Sequence, residues 1–282
     1  MTRVEVALPA DDVLGEGPTW DTAARRLIWV DILGSRVHSY DPADGAHQVT
    51  DVGQHVGAAK PRAGGGLVVN LRDGVGRYDA DGGFGWLHHD PVPGRRANDA
   101  AVAPDGSLWA GTMRYDEGEG GGSLLRIAPD GGVTRLLDRV TVSNGIGWSP
   151  ADPGLAYYVD SPTRRVDTLR VEDGRVVERR PFATVDPGAG FPDGLAVDAE
   201  GCVWIALWDG GRLHRYTPAG ALERTVPLPV RRPTACAFGG PGLRDLYVTT
   251  ARTDLPGREP LGGSLLVLPD MGEGLPGAAF AG

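Results

Sequence analysis

The 282-residue sequence predicts an all-β protein, a six-bladed β-propeller with four-stranded blades and a central metal site, in which residues 1–282 form one domain. Three observations support this. A strand-like run recurs six times at spacings of 39, 41, 49, 46 and 43 residues, close to the period of a propeller blade. Clusters of Asp, Gly and Pro separate the runs, as in hairpins. No stretch of helical length keeps a 3.6-residue apolar period.

Each run is centred on an aromatic or apolar anchor. The six anchors are Trp29, Val68, Trp109, Tyr158, Trp204 and Tyr247. A turn precedes every run, and a second alternating strand follows most of them, so each unit has room for roughly four strands. A β-sandwich or two small β-domains would be the alternative, but six evenly spaced copies favour the propeller.

One strand is left over at the beginning of the chain. Residues 3–8 precede the first complete unit. We expect this segment to supply the outer strand of the last blade, because such pairing closes the ring and protects the exposed strand edges.

A second pattern precedes each anchor and begins with a variable residue, X. The six X residues are Glu16, Val56, Asn98, Asn144, Asp193 and Thr234. The fifth residue of the pattern is apolar in five copies and is Lys60 in the other. Equivalent positions on the innermost strands of a propeller lie at one height, so we expect the six X residues to face each other around the channel.

Four of the six X residues carry oxygen donors, and two of the three Asn residues of the chain fall on X. Two carboxylates in a narrow channel would repel each other unless a cation lay between them. Carboxylate and amide oxygens suit Ca²⁺, Mg²⁺ or Mn²⁺. No His or Cys stands at X, so a typical structural zinc site is not indicated. Turn residues, or a purely structural metal, are the alternative interpretations.

Composition excludes several classes of function. With 28 Lys and Arg against 37 Asp and Glu, the net charge is −9, which disfavours nucleic acid as a partner. Neither a GxSxG elbow nor a phosphate-binding loop is present. The two cysteines, Cys202 and Cys236, stand in apolar runs and are expected to be reduced. Without a signal-like segment or a membrane-spanning run, the chain is expected to be cytoplasmic, with no membrane partner.

Several longer motifs resemble the regucalcin (senescence marker protein)/gluconolactonase family over essentially the whole chain. They are GEGPTW at 15–20, RRANDAAVAPDGSLWAGTM at 95–113, SNGIGWSP at 143–150, YYVDS at 157–161 and FPDGLAVDAEGCVWIA at 191–206. The resemblance implies the same six-bladed propeller, and it implies hydrolysis of sugar lactones to aldonic acids.

The resemblance also implies roles for individual residues. The family's metal ligands correspond to Glu16, Asn144 and Asp193, and its substrate-binding residues correspond to Arg96 and Asn98. A further acidic, substrate-facing residue corresponds to Asp116, although Glu117 fits the register as well. The resemblance implies one divalent ion but does not fix the metal, since family members occur with calcium, zinc and other divalent ions. We expect Ca²⁺, with Zn²⁺, Mn²⁺ or Mg²⁺ as alternatives.

These residues suit lactone hydrolysis. The metal would stabilise the oxyanion that develops from the carbonyl, and Asp193 would be the general base for water. A calcium-binding regulatory propeller without turnover is the main alternative. Another is a hydrolase or pathway enzyme that acts on a non-sugar lactone or a phosphotriester. We expect a small sugar lactone as the binding partner, and a monomer or weak homo-oligomer. The glycine-rich loop 113–122 is expected to be either a mobile lid or a plain flexible loop.

Overall fold

Six antiparallel sheets of four strands each make up the computed structural model, which describes residues 2–253 and 259–282. Five sheets are formed by four consecutive strands, and the sixth combines the two ends of the chain. The prediction of an all-β, six-bladed propeller is confirmed. The only helical elements in the described residues are three short 3₁₀ turns, Ser161–Thr163, Pro187–Ala189 and Pro241–Leu243.

The strands follow one another in chain order around the ring. The first half of the chain forms β1 (Glu5–Leu8), β2 (Gly15–Asp21), β3 (Arg26–Asp31), β4 (Arg36–Tyr40), β5 (His47–Asp51), β6 (Val56–Pro61), β7 (Leu67–Leu71), β8 (Gly74–Tyr78), β9 (Phe84–His89), β10 (Arg95–Val102), β11 (Leu108–Arg114) and β12 (Gly122–Ile127). The second half forms β13 (Val133–Val140), β14 (Ser143–Ser149), β15 (Asp152–Asp160), β16 (Arg165–Glu172), β17 (Arg175–Thr184), β18 (Phe191–Val197), β19 (Val203–Trp208), β20 (Arg212–Tyr216), β21 (Leu222–Pro227), β22 (Pro233–Gly239), β23 (Asp245–Thr250) and β24 (Leu265–Leu268).

Blades 1 to 5 begin at β2, β6, β10, β14 and β18, which are their innermost strands. Blade 6 runs β22, β23, β24 and then β1, where Glu5 pairs with Val267. The N-terminal strand is therefore the outer strand of the last blade, as predicted. This arrangement ties the two ends of the ring together by main-chain hydrogen bonds.

The predicted anchors lie on the second strand of each blade and fill the space between blades. Trp109 packs edge-on against Trp148 of the next blade at a centroid distance of 5.2 Å, and Trp204 packs in the same way against Phe238 at 6.1 Å. Trp109 and Trp204 are almost completely buried. Such edge-to-face pairs combine a large buried area with a favoured ring geometry.

The innermost strands approach each other closely around the axis. A Cβ on Gly57 would come within 2.1 Å of the carbonyl oxygen of Asn98 in the next blade, and one on Gly145 within 2.6 Å of the carbonyl oxygen of Asp193. Glycine is needed where backbones approach this closely. These contacts fix neighbouring blades, and hence their X residues, at one height.

The C-terminal segment crosses one end of the channel, opposite to the end at which the X residues stand. Gly274 forms a bridge with Asp198 of blade 5, and residues 275–278 line a cavity at the channel end. The segment then ends in blades 2 and 3, where Phe280 is fully buried and its N–H donates to the carbonyl of Pro61 at 2.9 Å. We call residues 271–282 the C-terminal strap.

Two further sequence features can be located. Cys202 and Cys236 are both buried and unpaired, as expected. None of the helical elements in the described part of the chain is long and apolar enough to cross a bilayer.

Candidate functional site

The six X residues stand at corresponding places on the innermost strands, and all are buried. The pairing between the inner strand and the second strand is irregular at the X position or directly after it in every blade, as between Glu16 and Thr19 or between Pro192 and Leu195. A bulge leaves a residue out of the ladder and turns its side chain. These bulges explain how polar residues of a central strand can point into the channel.

Two of the polar X residues have oxygens without donors. Asn144 uses its Nδ2 to donate to the hydroxyl of Ser161 at 3.0 Å, which fixes the orientation of its amide. Among the described residues, neither Asn144 Oδ1 nor Asp193 Oδ1 has a hydrogen-bond partner, although both atoms are buried. Buried acceptors without donors are costly. A cation would satisfy both atoms.

Glu16 and Asp193, the two carboxylic acids among the X residues, are disfavoured in their charged forms. Burial, and next the charge of Asp99, raise the pKa of Glu16 to about 8. Burial, followed by the charges of Glu16 and Asp99, raises the pKa of Asp193 well above its ordinary value. An opposite charge placed between carboxylates reverses such shifts. The donor set, which is entirely oxygen, fits a hard divalent cation.

Arg96 lies beside this group and is buried. Its Nη1 donates to Asn98 Oδ1 at 2.7 Å and to the carbonyl of Ala97 at 2.9 Å. Asn98 in turn donates through Nδ2 to the carbonyl of Ser143 at 2.9 Å. Burial lowers the pKa of Arg96, whereas the charges of Glu16 and other acidic groups raise it. Asn98 therefore holds the guanidinium, whose remaining N–H groups can reach a ligand.

The structure does not bring Asp116 into this group. Asp116 is exposed, and its carboxylate pairs with Arg114 at 2.5 Å, which lowers its pKa to about 2. Glu117, the alternative match, is also exposed, but its charge acts on Arg96. Both residues lie in the loop between β11 and β12. Tyr115 of the same loop is hydrogen-bonded to His55 Nδ1 of the neighbouring blade at 2.7 Å.

Two charged residues of the channel were missed in the sequence. Asp99 follows the X residue of blade 3, and Lys60 is the fifth residue of the blade 2 pattern; both are buried. Each interrupts a position that is small or apolar in the other blades, and this exception is the signal that could have revealed them. Lys60 is also the only lysine of the chain.

A second acidic group lies away from the channel, on blade 5. The ligand atoms of Asp198, Glu200 and Cys202 lie within 4.8 Å of one another, a spacing that a metal ion could bridge. However, Arg215 contacts Asp198 at 2.8 Å and also pairs with Glu200. The guanidinium already supplies the positive charge, so this group does not resemble the channel site.

Comparison with known proteins assigns the chain to a family. The model of the SMP-30/gluconolactonase/LRE-like region matches residues 14–252. The chain belongs to this family. The matched region contains all six X residues as well as Arg96, Asp99 and Lys60.

Other members of the SMP-30/gluconolactonase/LRE-like family resemble the chain over most of its length. The 6-deoxy-6-sulfogluconolactonase of Pseudomonas putida is 38% identical, covering 88% of this chain and 86% of that protein. A pentonolactonase of Haloferax volcanii is 36% identical, covering 86% and 82%. A solved structure of a calcium-binding protein, regucalcin, from Agrobacterium tumefaciens superposes with a TM-score of 0.94 at 29% identity, covering 99% and 97%.

Proposed function

We propose that this chain hydrolyses a sugar lactone to the aldonic acid and that it requires one divalent ion, held in the channel by Glu16, Asn144 and Asp193. The pair of buried oxygens without donors, Asn144 Oδ1 and Asp193 Oδ1, is the observation that supports the ion most directly. Lactonase relatives at 38% and 36% identity support the reaction.

The oxygen ligands favour Ca²⁺, and Mn²⁺ and Mg²⁺ prefer ligands of the same kind. Zn²⁺ is a further alternative, although its sites more often contain His or Cys. Glu16 and Asp193 together balance the charge of a divalent ion, and Asn144 adds a neutral oxygen. When bound, such an ion acts as a Lewis acid toward the lactone carbonyl.

The chain's own residues carry out the remaining chemistry. Asp193, when ionised, takes a proton from water as the water oxygen bonds to the carbonyl carbon. The bond between the carbonyl carbon and the ring oxygen then breaks, and Asp193 returns the proton it took from water to the departing ring oxygen, which becomes a hydroxyl. Burial of this site strengthens the interactions of the carboxylates with developing charge.

Arg96 orients the lactone through the N–H groups that do not bind Asn98 or Ala97. We propose that Asn98 acts mainly by fixing this guanidinium, since both ends of its amide are already hydrogen-bonded. Asp116 or Glu117 would contact the substrate from the loop between β11 and β12. Of the two, Glu117 is supported by its electrostatic effect on Arg96.

A calcium-binding propeller without turnover is the second candidate, because a calcium-binding regucalcin superposes closely with this chain. Non-sugar lactones and phosphotriesters are further candidate substrates for the same site. We also propose that the protein acts in the cytoplasm as a single-domain monomer or weak homo-oligomer.

The decisive experiment assays metal-stripped protein against a panel of aldonolactones while adding back one divalent ion at a time. We expect no turnover without an ion, and recovery at one equivalent of Ca²⁺ or of a competing ion. Full activity after exhaustive chelation would refute metal dependence. Calcium binding without hydrolysis of any lactone would favour the regulatory propeller.

A further inference from the structure

Beyond the ring of X residues, the channel opens into a cavity of about 470 Å³ under the C-terminal strap. Most of its wall is apolar and is formed by the later residues of the innermost strands, among them Trp20, Trp148 and Phe238. Lys60 and Asp99 interrupt this wall. Their exposed fractions are only 6% and 9%, so both charges are removed from bulk water.

The two residues have opposite charges, and each stands at a position of the repeat where the other blades have an uncharged residue. The residue after X is Gly or Ala in five blades, and Asp99 in blade 3. The fifth residue is apolar in five blades, and Lys60 in blade 2. Burial raises the pKa of Asp99 and lowers the pKa of Lys60, and the charge of each residue opposes the shift of the other. The two exceptions therefore compensate each other.

The surroundings of the ammonium group resemble those of a metal ion. Lys60 Nζ donates to the carbonyl of Gly17 at 3.0 Å and to the hydroxyl of Thr19 at 2.6 Å. Asp99 lines the same cavity without contacting the ammonium, and its charge raises the pKa of Lys60 against the effect of burial. Carbonyl, hydroxyl and carboxylate oxygens are also the groups that bind hard cations. The irregular pairing of β2 between Glu16 and Thr19 leaves the Gly17 carbonyl free for this contact.

We propose that Lys60 is a built-in second cation of the channel. Its ammonium occupies a position lined by the Gly17 carbonyl and the Thr19 hydroxyl, in the cavity that Asp99 also lines, and it thereby restricts the channel to one divalent ion. This inference rests on the proposed ion at Glu16, Asn144 and Asp193. In this arrangement the charge of Lys60 offsets that of Asp99 within the cavity, while Glu16 and Asp193 balance the divalent ion.

The test counts Ca²⁺ bound to metal-stripped protein by equilibrium dialysis over a wide range of calcium concentrations. We expect one ion for the wild type and two for Lys60→Ala, the second binding at least ~10-fold more weakly because only one carboxylate serves it and the first ion repels it. Lys60→Arg keeps the charge and should bind one ion. The double variant Lys60→Ala with Asp99→Asn loses the carboxylate and should also bind one.

A folded Lys60→Ala protein that binds a single ion up to ~10 mM Ca²⁺ would overturn the inference, since weak protein sites for calcium fill by that range. Should Lys60→Ala fail to fold, Asp99→Asn provides the test. It leaves the ammonium uncompensated, so Ca²⁺ affinity should fall about 10-fold, and an unchanged affinity would overturn the inference. A wild type that binds none of Ca²⁺, Mn²⁺, Mg²⁺ or Zn²⁺ would refute the proposed ion as well, and with it the proposed function.

Discussion

Two groups of acidic residues in this propeller, each with a buried Asp, are built in opposite ways. On blade 5, both oxygens of Asp198 are occupied: Oδ1 accepts backbone N–H groups, and Oδ2 accepts the indole of Trp204 and the guanidinium of Arg215. In the channel, Glu16 and Asp193 are equally buried, but Asp193 Oδ1 has no donor among the described residues.

This difference is the reason why the proposed ion is placed in the channel and not on blade 5. The blade 5 group meets the spacing requirement but is already neutralised and hydrogen-bonded, so it behaves as a structural centre. In the channel group, no cation forms an ion pair with Glu16 or Asp193 among the described residues, and Asp193 Oδ1 and Asn144 Oδ1 lack donors. Unsatisfied acceptors and raised carboxylate pKa values distinguish a site that is prepared for a ligand from one that is complete.

Asp193→Asn gives the largest effect that this comparison predicts. The substitution keeps the size and one carbonyl ligand but removes the proposed general base, so kcat should fall by ~10²–10⁴ in the ion-saturated enzyme. The fold should persist, because the side chain faces the channel. Steady-state kinetics at saturating ion, with circular dichroism as a folding control, measure this. A near wild-type rate would assign the base to another group.

Glu16→Gln and Asp198→Asn form a matched pair for the two acidic groups. Glu16→Gln should weaken Ca²⁺ binding by roughly 100-fold, because half of the compensating charge is lost. Asp198→Asn should leave the affinity unchanged and lower the melting temperature, because Arg215 loses a buried partner. Isothermal titration and thermal melts of both variants decide this. If Asp198→Asn removed the ion, the blade 5 group would be the metal centre.

Substitutions around the guanidinium should affect the substrate and spare the ion. Arg96→Ala should raise KM about 10-fold or more, as expected for a lost charged hydrogen bond. Asn98→Ala should have a smaller effect in the same direction, since it only releases the guanidinium. Neither should change calcium affinity. Loss of the ion in folded Asn98→Ala would instead make Asn98 a ligand.

The stability of the folded protein should depend on pH differently with and without the ion. In the ion-free protein the pKa of Glu16 is about 8, above its ordinary 4.5, so the folded state binds a proton that the unfolded state releases. Stability should therefore decrease as the pH rises from about 5 to 8, and saturating Ca²⁺ should remove or reverse this decrease. Melting temperatures across this range test it. A flat profile in the ion-free protein would mean that the channel carboxylates do not titrate there.

The sequence predicted the repeat, the closure of blade 6 and the height of the X residues, because all three depend on alternation and spacing along the chain. It did not predict that Asp99 and Lys60 line one cavity, because that placement depends on how neighbouring blades pack around the channel. The sequence also did not predict that Asp116 pairs with Arg114 instead of facing the channel. That pairing is set by the conformation of the loop between β11 and β12.

The pairing of β1 with β24 has a consequence for the order of folding. Glu5 reaches Val267 only after nearly the whole chain is available, so the last blade is completed by a contact of very high sequence separation. Such contacts form slowly, because much chain entropy is lost before they contribute stability. The residues proposed to hold the ion are distributed over blades 1, 4 and 5 and meet only in the closed ring. Capture of the ion would then be a late event, and its time course would report ring closure.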